Sequence, residues 1–186
     1  MALGQSEAIV NLRQMFRPRP ARLAGEALYE AATRQARQPG FYLALGAPDT
    51  VEGRFELYSL HVVLLLHRLK GEGGEAGETA QALFDTYVGA LDNALREMGV
   101  GDLSVAKKMR KLGEAFYGRA KAYEAVIATR DRTELAALIG RTVFADAPNA
   151  GCGKLADYVL AGADALAAQS LGDVLEVRLR WPEVPA

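Results

Sequence analysis

Residues Glu52–Lys70 read EGRFELYSLHVVLLLHRLK, and the reading of this stretch decides the fold. Phe55, Leu57, Tyr58, Leu60, Val62, Val63, Leu64, Leu65, Leu66 and Leu69 leave little polar face near its middle. A helix that is apolar nearly all round belongs in the centre of a bundle, covered by other helices. Its longest unbroken apolar run, Val62–Leu66, falls far short of the ~20 residues that span a bilayer. The segment predicts a core helix, and the chain is not expected to cross a membrane.

The flanking segments also read as helices. Ala21–Gln38 carries Leu23, Ala24, Ala27, Leu28 and Ala31 at helical spacing and stops at Pro39-Gly40. Phe41–Leu45 and a Gly46-Ala47-Pro48-Asp49 turn lead into the central helix, and Gly71–Gly77 follows it as a glycine- and glutamate-rich loop. Thr79–Met98 gathers Leu83, Phe84, Tyr87, Val88, Leu91, Leu95 and Met98 on one side, with Asp85, Asp92 and Arg96 opposite. Gly99-Val100-Gly101 stops it, and Asp102 or Ser104 stands where a cap for the next helix is needed. That helix runs to about Thr129 and places Val105, Met109, Leu112, Phe116, Tyr123 and Ile127 within an arc of roughly 60°. Asp131 or Thr133 opens a helix to about Phe144, Pro148–Gly153 is a turn, and Leu155–Ala168 is an alanine-rich helix. Val174–Trp181 predicts a short helical turn followed by an extended strap.

The expected architecture is all-α, a single compact multi-helix bundle of about seven helices with an extended C-terminal strap. Residues 1–20 form an N-terminal amphipathic arm, 21–170 the helical domain and 171–186 a tail. In the arm Ile9, Val10, Leu12, Met15 and Phe16 alternate with polar side chains up to the break at Pro18 and Pro20. It lacks the continuous apolar stretch of a secretory signal. It reads as a docking arm on the domain or a surface helix touching anionic lipid.

Composition narrows the function. The chain has 186 residues, 50% of them hydrophobic, with 22 basic against 23 acidic side chains and a net charge of −1. That is enough apolar material for one real core, and the balance gives no reason to expect a specific nucleic-acid partner. One cysteine and two histidines leave no disulfide framework and almost no route to a zinc cluster, and they suit a reducing compartment.

Several local patterns resemble chemical motifs and fail on context. Gly71-Glu72-Gly73-Gly74-Glu75-Ala76 has dinucleotide-loop spacing. A helix precedes it, however, no second strand follows, and Glu72, Glu75 and Glu78 would repel a pyrophosphate. Gly151-Cys152-Gly153-Lys154 lacks the upstream glycine of a phosphate loop, and Leu155 stands where Ser or Thr should hold magnesium. Cys152 has no histidine nearby in sequence to activate it. His61 and His67, six residues apart, fall on different helix faces and cannot chelate one ion. Each reads as an amphipathic-edge residue hydrogen-bonded within the bundle. Asp85 and Asp92 share a face, but the Glu-x-x-His motif of di-metal bundles is absent and Arg96 is spaced to pair with Asp92. No cofactor or metal is expected.

The run Lys107-Lys108-Met109-Arg110-Lys111, with Arg119 and Lys121, lies mainly opposite the apolar seam of its helix. After Asp102 its only acids are Glu114 and Glu124. It reads either as a solvated face or as a surface for acidic protein, lipid headgroups or RNA.

Taken together, certain stretches resemble the ubiquinol–cytochrome c chaperone family, assembly factors for cytochrome b of the respiratory bc1 complex. They are Gly40-Phe41-Tyr42, Pro48-Asp49-Thr50, Gly53-Arg54-Phe55-Glu56-Leu57 with Leu60-His61, and Leu83-Phe84-Asp85 with Asp92. They continue through Leu95-Arg96-Glu97-Met98-Gly99-Val100-Gly101-Asp102-Leu103-Ser104-Val105, Lys107-Lys108-Met109 and Phe116-Tyr117-Gly118-Arg119 with Tyr123. The likeness covers about residues 27–145 and is weak beyond Ala150.

The resemblance implies a non-enzymatic chaperone that binds newly made cytochrome b and supports biogenesis of the bc1 complex. Without a long arginine- and serine-rich leader, the chain looks like a bacterial form, working on the cytoplasmic side of the inner membrane as a peripheral protein. An anionic lipid surface is a second expected contact; the small partner protein of mitochondrial members is not assigned. Since aromatic and arginine side chains dominate interface energetics, the expected partner-binding residues are Tyr117 and Arg119, with Lys107, Lys108 and Lys111 meeting headgroups or acidic client loops. Arg54 is a further candidate; alternatively Arg54 and Glu56 buttress the Gly46–Val51 turn. A general helical adaptor, and a ligand-binding or enzymatic bundle built on Asp85, Asp92 and the histidines, remain as alternatives.

Overall fold

A computed structural model of the chain describes residues 20–145, 149 and 151–184. The expected N-terminal amphipathic helix therefore lies outside the described residues. Eight helices follow in order: α1 (Pro20–Ala36), α2 (Pro39–Leu43), α3 (Val51–Leu69), α4 (Gly74–Glu97), α5 (Asp102–Thr129), α6 (Arg132–Thr142), α7 (Gly151–Ala167) and α8 (Leu171–Leu175). Six are long and two are single turns, so the all-α bundle read from the sequence is the fold observed. Among the described residues no helix is long and apolar enough to cross a membrane.

Helix α3 is the axis. Leu57, Leu60, Val62, Val63, Leu64, Leu65 and Leu69 are all buried, and α1, α4, α5 and α7 pack around it. Thr50 caps its start by accepting the Gly53 N–H at 3.1 Å. Asp131 does the same for α6, accepting from Thr133 and Glu134. The cap expected of Asp102 or Ser104 is not made: Gly101 holds that position, and Asp102 pairs with Arg96 instead.

Two helices begin earlier than their sequences suggest. Helix α4 starts at Gly74, inside the expected Gly71–Gly77 loop, because Ala76 is buried on the same face as Thr79 and Leu83. Helix α7 starts at Gly151, where Asn149 Oδ1 accepts the Gly151 N–H at 2.7 Å. There the backbone runs against Leu45 so closely that a Cβ would overlap the Leu45 carbonyl oxygen. Gly53, on the first turn of α3, is seated likewise under the Pro48 carbonyl. The segment between α2 and α3 is thus gripped from both sides by glycines that only a side chain of hydrogen permits.

His61 is fully buried and not the edge residue expected, though its hydrogen bonding within the bundle is as read. Its Nδ1–H donates to the Leu57 carbonyl at 2.7 Å, and its Nε2 accepts from the Tyr158 hydroxyl at 3.0 Å. Gln35 donates in turn to the Tyr158 oxygen. Phe41 and Trp181 set ring edges against the imidazole at 5.4 and 5.3 Å. One histidine therefore ties α1, α2, α3, α7 and the C-terminal strap together. The strap is also clamped by buried Gln169, which accepts from the Arg180 N–H and donates to the Arg180 carbonyl.

Burial lowers the His61 pKa from 6.5 to about 4, against a smaller opposing pull from the Leu57 carbonyl. The unfolded chain takes up this proton near pH 6.5 and the folded chain only near pH 4, so unfolding is favoured by acid. The contribution is intact above the unfolded value and erodes as pH falls through that window. It amounts to about 3 kcal/mol at full loss. Urea unfolding between pH 7.5 and 4.5 is expected to show this slope, and His61→Gln is expected to flatten it.

Candidate functional site

Helices α4 and α5 carry most of the residues singled out by the sequence. Leu83 and Tyr87 of α4 and Phe116, Tyr123, Val126 and Ile127 of α5 enter the core. From Val88 to Glu97 no side chain of α4 is fully buried, and Leu91 and Leu95 stay half-buried. Met109 and Leu112 on the first half of α5 are half-buried as well.

Between these helices lies an open groove of about 440 Å³, floored by Leu66, Ala80, Phe84, Phe116 and Ala120. Tyr117 stands over it, 65% exposed, with Lys121, Glu124 and Gln81 at the rim. The rings form a connected set. Phe84 lies 5.6 Å from Phe116 and 5.8 Å from Tyr117, and Tyr87 is 4.8 Å from Phe116. The buried members are anchored: the Tyr87 hydroxyl is 2.8 Å from Ser59 Oγ, which itself donates to the Phe55 carbonyl. A fixed aromatic floor with one ring turned outward offers large contact area at low conformational cost.

Lys107, Lys108 and Lys111 are all exposed, and among the described residues none of them, nor Lys121, forms an ion pair with a carboxylate. At about 100° per residue, Lys121 and Lys107 fall on the Tyr117 side of α5, Lys111 falls about 120° away and Lys108 opposite. Of these lysines only Lys121 lines the groove; the other three lie about 9–15 Å from Tyr117 toward the start of α5.

Arg119 and Arg54 are differently placed. Arg119 lies two residues from Tyr117 and turns roughly 200° away from it around the helix. Its Nη2 meets Glu56 Oε1 at 2.6 Å, and the Arg119 side chain is only 27% exposed. Its guanidinium also lies 5.8 Å from the Phe55 ring centroid. Glu56 is buried, and desolvation raises its pKa, partly offset by Arg119. The pair locks α5 to α3. Arg54 does buttress the turn before α3, through Asp49 at 2.6 Å, whereas Glu56 does not share that task.

The carboxylates and histidines do not converge. Asp85 accepts from Gln81 and lies on a separate open groove beside α1, while Asp92 accepts from Arg96. His61 is sealed in the core and His67 is half-buried. Cys152 is buried in the core cluster. Among the described residues no group of three His, Cys, Asp or Glu side chains could hold a metal ion.

The chain is similar to the ubiquinol-cytochrome-c reductase complex assembly factor 1 of Xenopus laevis, 25% identical over 117 residues covering 63% of this chain. It is 30% identical over 122 residues, again 63% of the chain, to the assembly factor 1 of Drosophila melanogaster. It spans only 58% and 47% of the lengths of these relatives. A crystal structure of the Cbp3 homolog from Brucella abortus superposes with a TM-score of 0.83 at 34% identity, covering 95% of this chain and 97% of the other. The profile of the ubiquinol-cytochrome C chaperone family matches residues 43–181, so the likeness runs on through α7 and the strap, well past Ala150. On this match the chain belongs to the ubiquinol-cytochrome C chaperone family.

Proposed function

We propose that the chain is a non-enzymatic chaperone that binds newly made cytochrome b and supports assembly of the respiratory bc1 complex, using the α4–α5 groove as its client site. The observation that carries this reading is the exposed Tyr117 ring seated on Phe84 and Phe116 beside Lys121, with further lysines without carboxylate partners toward the start of the same helix. An apolar client segment lies along the aromatic floor, and acidic loops or lipid headgroups meet Lys107, Lys108, Lys111 and Lys121. The chain works at the cytoplasmic side of the inner membrane as a peripheral protein, since charge at a groove rim steers docking to an anionic surface. Arg119 supports the site from behind by holding α5 on α3, and Arg54 by holding the turn before α3.

Reversing Lys107, Lys108 and Lys111 to Glu tests this. The side chains are exposed, so the helical circular dichroism is expected to match the parent. Co-purification of cytochrome b from detergent-solubilised membranes is expected to fall about tenfold, and the parent's yield to decline with added salt. Equal recovery at every salt concentration and in the variant would mean that the basic face is solvent cover. Recovery of a soluble protein in place of cytochrome b would identify a general adaptor.

A further inference from the structure

A second exposed patch lies where the end of α1, the whole of α2 and the first turns of α3 meet. Leu43, the last residue of α2, is 84% exposed, and Val51, the first of α3, is 64% exposed. Leu43 faces an open cavity of about 440 Å³ that it shares with Pro39, Tyr42, Tyr58, the carboxylate of Asp49 and the guanidinium groups of Arg37 and Arg54. A leucine left this open beside two aromatic rings and two arginines has the composition of an interface centre, not of an ordinary surface turn.

The polar groups here are held in place. The Tyr42 hydroxyl donates to the Ala36 carbonyl at 3.0 Å. Arg37 Nε donates to the Tyr58 hydroxyl at 2.8 Å, with the guanidinium carbon 5.6 Å from that ring's centroid. The two arginines differ in one respect. Arg54 is neutralised by Asp49, whereas among the described residues Arg37 has no carboxylate partner, and its terminal N–H groups have no protein acceptor. Arg37 thus presents the free end of an oriented fork, a geometry that matches a carboxylate through two parallel hydrogen bonds.

We infer that this patch is a second docking surface, separate from the α4–α5 groove. It takes a protein segment that carries an Asp or Glu carboxylate close to a bulky apolar side chain. The carboxylate takes the terminal edge of Arg37, and the apolar side chain covers Leu43 and Pro39. A free small anion would use Arg37 alone and leave Leu43 in water, so the pairing of the two features selects a peptide. The inference does not depend on cytochrome b being the client.

The test is to pan a random peptide display library on the immobilised full-length chain and to measure the enriched peptides by fluorescence anisotropy. The expected consensus has Asp or Glu within a turn of an aromatic or aliphatic residue. Leu43→Asp and Arg37→Gln are each expected to weaken binding about tenfold, as is an Asn or Gln isostere of the peptide. Leu43 is exposed, so Leu43→Asp should keep the parent's thermal midpoint, and the Lys107, Lys108 and Lys111 reversal should bind the peptide normally. Failure to enrich any peptide, enrichment of peptides without an acid, or affinity indifferent to Leu43→Asp would overturn the inference. So would displacement by free glutamate at the same concentration as the peptide, which would mark a small-anion site.

Discussion

Arg119→Met is expected to cost about 3 kcal/mol of folding stability at neutral pH, a fall of roughly 6–12 °C in midpoint for a chain of this size. The substitution keeps the volume beside Phe55 but leaves Glu56 buried without its cation. A buried carboxylate with no partner must either stay charged in a poor environment or take up a proton. Burial already raises the Glu56 pKa in the presence of Arg119, and removing the cation raises it further. The unfolded Glu56 ionises near its ordinary value, so the variant's deficit is absent below about pH 4.5. The deficit opens as pH rises past the parent's own raised folded value and is complete above the variant's higher one. Adding Glu56→Gln to Arg119→Met is expected to restore most of the loss, because the buried charge is gone. Denaturant titration of the four proteins at pH 4 and pH 7 measures all of this. Equal stability of the parent and Arg119→Met at pH 7 would show that the pair contributes nothing to the packing of α5 on α3.

Gly151→Ala is expected to have an effect of similar size, about 3 kcal/mol, through sterics alone. The new methyl would overlap the Leu45 carbonyl oxygen and press on Asn149 Oδ1, 2.8 Å away. Backbone atoms cannot yield as the end of a flexible side chain can. The first turn of α7 must back away from the α2–α3 connection, and the buried Cys152 and Leu155 move with it. Gly53→Ala meets the Pro48 carbonyl in the same manner. Gly89→Ala supplies the contrast. A Cβ there meets nothing within 4 Å, so in the middle of α4 it is expected to stabilise by about 0.5–1 kcal/mol. Thermal unfolding of the three variants should therefore give two large losses and one small gain.

The helices were legible because their signals are local. Pro39-Gly40 ends α1, Gly99-Val100-Gly101 ends α4, and the apolar density of α3 announces a central helix within its own residues. Helix starts at Gly74 and Gly151 were hidden because distant packing, not local preference, decides them. The first is drawn in by the burial of Ala76, the second by contact with Leu45. The Glu56–Arg119 pair joins residues far apart in the chain, and periodicity cannot register such a contact. One clue was present: a lone carboxylate on the buried side of a nearly all-apolar helix needs a cation from elsewhere. His61 on the same helix reads as an edge residue, because its partners Tyr158 and Trp181 come from the far end of the sequence. Tyr117 stands out in the sequence because it sits one residue off the apolar seam of α5. Its partnership with Phe84 required the packing of α4 on α5.

The central claim, that Tyr117 and the α4–α5 groove hold an unfinished cytochrome b, is tested most directly by placing a photo-crosslinking amino acid at position 117 of the full chain. Crosslinks are collected while cytochrome b is being synthesised in cells that carry the bc1 complex. A covalent adduct with cytochrome b is expected that disappears once the complex matures and is not formed from an exposed position outside both surfaces, such as Leu23. Strong adducts to cytochrome b from position 23 with none from position 117 would contradict the claim, as would adducts at 117 that never include cytochrome b.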